Sequence, residues 1–205
     1  MKRLLLLDLD GVIIDLATHL FSYYDVPCLE DEYPDGYMWD IGGAVNHIRE
    51  QDGLPAVPME TFWSTLSYNF WRNLPQYPTA RNFIEWLEMS GELEVCFCTA
   101  SAGTPESVAG RYDWVKDYYP NKVNSMFMTS NKSPLGRIPG AILIDDSDKN
   151  VDDFRAVGGD AILVPRPWNS DYYNAKCWKD ATPRLDRRPV YNVVATDLAK
   201  VMGDK

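Results

Sequence analysis

Asp8 and Asp10 stand two residues apart where the apolar run 4–7 ends, and extended backbone carried through them would turn both carboxylates to one face. Carboxylates so crowded repel, and a bound cation or a shared proton relieves the repulsion. Gly11 then permits a sharp exit of the chain that leaves room for a ligand. A second acidic pair, Asp145-Asp146, closes the apolar run 141–144, Thr99 ends the run 93–98 with a hydroxyl, and Lys132 lies in an irregular segment between them. Carboxylates from two strand ends are hard oxygen ligands suited to Mg²⁺. Thr99 and Lys132 add donors for an anion on that metal, and the set describes a site for a phosphoryl group. Taken singly, each residue has a plainer use: Asp145-Asp146-Ser147-Asp148 as a helix cap that complements the dipole, Thr99 as a cap, Lys132 as surface charge. Two acidic strand ends, one hydroxyl strand end and an intervening lysine in that order are what point to chemistry.

The runs that must hold these residues are short and apolar, 4–7, 93–98, 141–144 and 161–164, each stopping abruptly at polar residues or Pro165. Buried parallel strands have that length and ending. Between them, 79–89, 105–119 and 150–157 carry helical spacing, with stops at Ser90-Gly91 and Gly158-Gly159. Strands alternating with helices predict an α/β fold, a parallel sheet with helices on both faces in three layers. Ligands of such sheets bind beyond the carboxyl ends of the strands, where the acidic residues and Thr99 fall. The span 17–78 breaks the alternation, with turn signals at Pro34-Asp35-Gly36, Gly42-Gly43 and Asp52-Gly53-Leu54-Pro55, and reads as a small helical insert after the first strand. The expected division is a core of 1–16 and 79–205 with a subdomain of 17–78. The stretch 190–201 has the apolar content of a final helix or strand.

The 205 residues carry 20 Lys plus Arg against 30 Asp plus Glu, a net charge of −10, which argues against a nucleic-acid polymer as partner. Residues 1–80 hold four basic residues against twelve acids, so most of the excess lies at the N-terminal end. A chain of this length buries roughly 70% of its unfolded surface, enough for one domain and an insert. The opening Met1-Lys2-Arg3 leads straight into an acid-ended strand too short and too charged for a signal peptide or a membrane span, which predicts a cytoplasmic protein without membrane contact. Cys28, Cys96, Cys98 and Cys177 have no paired metal spacing, and a disulfide framework is not expected. His19 and His47 read as packing or surface residues, and the basic residues between Lys176 and Arg188 as a solvated face.

In order along the chain, LLLLDLDGVIID, VCFCTAS, Lys132 and ILIDDSDKN resemble the four motifs of the haloacid dehalogenase superfamily of phosphotransferases. The 5′(3′)-deoxyribonucleotidase branch is the nearer resemblance, through Phe70-Trp71-Arg72-Asn73-Leu74-Pro75, Tyr112-Asp113-Trp114-Val115-Lys116, Met128-Thr129-Ser130-Asn131-Lys132 and Leu163-Val164-Pro165-Arg166-Pro167-Trp168-Asn169. The likeness runs from residue 3 to about 170 and is weakest over the insert and the tail. It implies a Rossmann-like core with a cap, and a Mg²⁺-dependent phosphomonoesterase acting on nucleoside monophosphates, deoxy forms preferred. By position it makes Asp8 the nucleophile that forms an aspartyl-phosphate and Asp10 the general acid and then base. Thr99, Ala100 and Lys132 would hold the phosphoryl oxygens. Mg²⁺ would be held by Asp8, the backbone carbonyl of Asp10, and Asp145, with Asp146 ligating directly or through water. Relatives are often homodimers, and the resemblance carries that expectation here.

Three departures bear on specificity. Thr99-Ala100-Ser101 replaces a common Thr-Ser-Pro, Leu16 stands where some relatives have an aromatic residue, and Ser147 replaces a common Arg. The insert is rich in aromatic residues, most of them needed for its own packing. Tyr37, Trp39, Phe70 and Trp71 are the expected substrate contacts, by their resemblance to cap positions. The same core chemistry also suits another small phosphometabolite such as a sugar phosphate or flavin mononucleotide, transfer to an acceptor other than water, or a nucleotide-binding protein that has lost turnover.

Overall fold

The computed structural model describes residues 2–171 and 188–203. Five strands, β1 (Arg3–Leu7), β2 (Leu93–Thr99), β3 (Met126–Met128), β4 (Ile142–Asp145) and β5 (Asp160–Leu163), form one parallel sheet in the order β3-β2-β1-β4-β5. The four apolar runs account for β1, β2, β4 and β5. β3 lies in the segment read as irregular: it is three residues long and its central Phe127 is exposed, so it carries no apolar run. The chain builds outward from β1 to β2 and β3, then returns to β4 on the other side of β1. The reversal of strand order therefore falls at β1 and β4, where such sheets open a crevice at their carboxyl edge.

Alternation along the strands feeds two cores. Leu5, Leu7, Val95, Phe97, Ile142 and Ile144 join the larger one with α5 (Ala80–Met89), α6 (Pro105–Tyr118) and the C-terminal α8 (Arg188–Gly203), so the segment 190–201 is a helix. Leu6, Cys96, Cys98 and Leu143 face the other way onto Val151 and Phe154 of α7 (Asp148–Ala156). Cys28, Cys96 and Cys98 are buried, and burial pushes the Cys98 thiol up to about 12, as suits small apolar fillers. Cys177, Lys176, Lys179, Arg184 and Arg187 lie outside the described residues, as does the side chain of Arg188.

The insert holds α1 (Leu16–Tyr23), a 3-10 turn Glu30–Glu32, α2 (Ile41–Gln51), α3 (Met59–Phe62) and α4 (Tyr68–Arg72), and no strand among its elements. Asp15 and Asp40 cap α1 and α2 by accepting from the amides of Thr18 and Gly43. Its entry and exit are tied together. Asp15 N donates to Pro75 O and Tyr77 N to Ile13 O, a short antiparallel stitch around Ile14 and Gln76. No helix among the described residues is long and apolar enough to cross a membrane.

Candidate active site

β1 delivers Asp8 to the crevice. Its amide still bonds to Ile144 O of β4 at 2.9 Å, and the chain then folds back as Ile13 N and Ile14 N both donate to Leu9 O. The extended backbone that would have aligned Asp8 with Asp10 therefore ends at once, and the two carboxylates take different partners. Lys132, buried at the start of the 3-10 turn Ser133–Arg137, places Nζ 2.9 Å from Asp8 Oδ1 and 2.6 Å from Asp145 Oδ2. Asp10 instead receives both terminal nitrogens of Arg111 on α6, at 2.8 and 2.5 Å.

Asp145 and Asp146 sit where β4 gives way to α7. Asp145 is fully enclosed and accepts from Lys132, from Ser147 N at 2.9 Å and from Asn150 Nδ2 at 3.1 and 3.2 Å. Ser147 also caps α7, accepting from Asn150 N, so capping and site construction share these residues. Asp146 accepts from Trp168 Nε1 through Oδ2 at 2.7 Å, while its Oδ1 is buried with no hydrogen-bond partner among the described residues. Asn169 fastens the Asp146 carbonyl to Val164 O by donating to both at 2.8 Å.

Asp8, Asp145 and Asp146 each bring one carboxylate oxygen within 4.8 Å of the others. Burial pushes the Asp8 carboxyl up to about 7, with Asp145 and Asp10 adding to the rise and Lys132 opposing it. Burial also drives Asp146 well above the usual carboxylate range, reinforced by Asp145 and Asp8. Lys132 is held charged by Asp8 and Asp145 against its own burial. When all three enclosed carboxylates are ionised, the one lysine in contact with them does not balance their charge, and the buried Oδ1 of Asp146 is an orphaned acceptor within the group. A hard divalent cation fits both features. The Asp10 carboxylate is not in this group and has Arg111 as its partner.

Thr99 ends β2, fully buried, its hydroxyl turned to Ala100 O at 3.3 Å. The register pairing Leu7 with Phe97 sets Thr99 and Ala100 beside the exit of β1. The four expected cap contacts divide. Trp39 is 39% exposed and its ring lies 5.3 Å from that of Trp168, the residue on Asp146. Trp71 is 0% exposed, with the Arg111 guanidinium 4.7 Å from its ring centre. Phe70 packs behind it against His19 and Tyr23. Tyr37 faces His47 of α2.

Arg111, Asn150, Trp168 and Asn169 also contact these acids, and no local pattern in the sequence marks the last three out for it. A signal existed for Arg111: its helix buries Ser107, Gly110, Trp114 and Val115, and a charge on that stripe requires a buried partner.

A family model described as 5′ nucleotidase, deoxy (pyrimidine), cytosolic type C protein matches residues 2–187. Two proteins named 5′(3′)-deoxyribonucleotidase, from Bacillus subtilis (strain 168) and from Bacillus phage SPbeta, are each 27% identical to the chain over 191 residues, covering 90% of it and 99% of themselves. Among solved structures, a HAD family hydrolase from Deinococcus radiodurans R1 with bound phosphate and sodium is similar with a TM-score of 0.54 at 14% identity, over 98% of this chain and 96% of that one. At that identity the structural likeness bears on the fold alone.

Proposed function

This chain belongs to the cytosolic type C 5′(deoxy)nucleotidase family within the haloacid dehalogenase superfamily, and we propose that it is a Mg²⁺-dependent hydrolase of deoxynucleoside monophosphates that works through an aspartyl-phosphate on Asp8. The family makes it a phosphoric monoester hydrolase. The observation that carries the finer reading is Lys132 bridging Asp8 and Asp145 beside the orphaned Oδ1 of Asp146.

In this reading the cation is held by Asp8, the Asp10 carbonyl, Asp145 and Asp146, with Asp146 Oδ1 the oxygen left open to it. Bound there, Mg²⁺ supplies positive charge to the phosphoryl oxygens and neutralises the acidic group. Thr99, Ala100 and Lys132 hold those oxygens from the other strand ends. An Asp8 oxygen bonds to phosphorus as the ester P–O bond breaks, and Asp10 gives its proton to the departing oxygen. Asp10 then takes a proton from the water that attacks phosphorus, and the Asp8–phosphoryl bond breaks to release phosphate. Lys132 keeps Asp8 aligned and lowers its hold on a proton.

Residues 17–78 act as the cap in this reading, supported by the stitch at Ile14 and Gln76 that closes the insert on itself. Trp39 is linked to the acids through Trp168, whose indole donates to Asp146, and Trp71 through Arg111, which donates to Asp10. The net charge of −10 favours a small monophosphate over a polymer as substrate. The test is phosphate release from a panel of deoxy- and ribonucleoside 5′- and 3′-monophosphates, sugar phosphates and flavin mononucleotide, with Mg²⁺ and with EDTA. Mg²⁺-dependent release led by deoxynucleotides is expected. Release from another ester class alone would discard the substrate, and release in EDTA would discard the metal.

A further inference from the structure

Arg111 is buried at the middle of α6, on the stripe that packs against α4. An enclosed guanidinium costs several kcal/mol unless its charge and donors are met. Here Nη1 and Nη2 meet Oδ1 and Oδ2 of Asp10 one to one, at 2.8 and 2.5 Å, and the flat face lies over Trp71. Nε is buried with no hydrogen-bond partner among the described residues, so the Asp10 fork is what meets the group's donors there. Gly110 makes the approach possible: a Cβ there would stand 2.5 Å from Trp71 Cβ and 2.9 Å from Tyr68 O. The guanidinium is therefore fixed from two sides, by the carboxylate it grips and by the ring it lies on.

We propose that Arg111 is a positioning residue for proton transfer: its two-point grip sets the plane of the Asp10 carboxyl group, and Trp71 of the cap holds Arg111 in turn. The proposal rests on the hydrolase reading above. Each carboxylate oxygen has two lone-pair sites, and a fork occupies one on each, so the grip aims Asp10 without consuming the site that carries the proton. In the step served, the Asp8–phosphorus bond forms, the ester P–O bond breaks, and the Asp10 proton passes to the departing oxygen. A carboxyl group free to rotate loses that transfer while leaving the attack by Asp8 untouched.

The leaving group separates this role from a structural one. A deoxynucleoside leaves as an alkoxide that needs the proton, whereas p-nitrophenolate leaves without one. The experiment compares kcat/KM, which reports the first phosphoryl transfer, for a deoxynucleoside 5′-monophosphate and p-nitrophenyl phosphate in wild type, Arg111→Met and Arg111→Lys, with Mg²⁺ present. Arg111→Met is expected to lose roughly 100-fold on the nucleotide and less than about 5-fold on the aryl ester. Arg111→Lys, whose ammonium has no fork, should fall between on the nucleotide. A partly unfolded preparation loses both activities equally, so the ratio is insensitive to folding, and the lysine variant supplies the measurement if the methionine variant does not fold. Equal losses on the two esters, or a raised KM with unchanged kcat, would overturn the positioning role with the hydrolase reading intact. A wild type silent on both esters would overturn that reading and this role with it.

Discussion

A β-carbon on Gly11 would stand 1.8 Å from Oδ2 of Asp146. The first acidic motif can close against the second only because that carbon is absent, and Gly11 has a φ of +68°, which side chains rarely adopt. Asp146 cannot retreat freely, since Trp168 Nε1 holds the same oxygen at 2.7 Å.

Gly11→Ala should therefore damage the site and the fold together. A strained left-handed position and a forced contact each cost on the order of 1–3 kcal/mol. Displacing Asp146 should also cut Mg²⁺-dependent phosphate release by at least about 10-fold, in keeping with the usual cost of disturbing a ligand's support. Thermal melting and phosphate release on the same preparation check both, and wild-type turnover in the variant would contradict the close approach.

Asp8→Asn keeps shape and removes one negative charge from an enclosed group of like charges. Phosphate release should fall to background, since an amide does not form the acyl phosphate. Melting of the metal-free protein near pH 7 should change by no more than a few degrees, because Lys132 keeps Asp145 and the crowding is relieved. Residual turnover at the wild-type rate would remove Asp8 as nucleophile.

Stability of the metal-free protein should fall as pH rises from about 4 to about 7. Burial lifts the Asp8 carboxyl from 3.8 to about 7 in the fold. Across that window the folded state keeps a proton the unfolded chain has lost, so the slope of unfolding free energy against pH is negative. Asp146 is raised as well and adds in the same direction. A cation that takes over the proton's neutralising part stabilises most where the proton is gone. Melting temperatures in EDTA and in Mg²⁺ should differ more at about pH 8 than at about pH 5, and a shift that shrinks with rising pH would refute the cation site.

The strand ends were legible because burial on both faces writes β1, β2, β4 and β5 as uninterrupted apolar runs, and each run stops at the residue it presents. β3 was not, since an edge strand of three residues with Phe127 outward has no such run. Asp8 and Asp145 were found as strand punctuation, whereas the partner of Asp10 lies 101 positions along the chain on a helix, and no local pattern joins them. The part of Trp168 was hidden for a related reason: its bond to Asp146 depends on how the chain after β5 folds back over the site. The break in the α/β pattern over 17–78 was legible, but which aromatic rings of its helices stay open is decided by packing, and packing separates Trp39 from Trp71.

That separation gives a fluorescence prediction. Trp39 is partly exposed and lies against Trp168, one hydrogen bond from Asp146, so its ring is open to a nucleobase bound beside that acid. Trp71 is sealed under Arg111, with Phe70 and Trp63 at 5.1 and 6.3 Å, and offers no open face. Aromatic stacking on a base is worth about 1–3 kcal/mol and changes the electronic surroundings of the indole. Adding a deoxynucleoside monophosphate with Mg²⁺ to the turnover-deficient Asp8→Asn protein should therefore alter tryptophan emission. Trp39→Phe should remove most of the change and weaken binding by roughly 5- to 100-fold, and Trp71→Phe should leave most of the change in place. The reverse pattern would mean that the cap opens far enough on binding to lift Arg111 from Trp71, and would move the base-binding face from the Trp39 side to the α4 side.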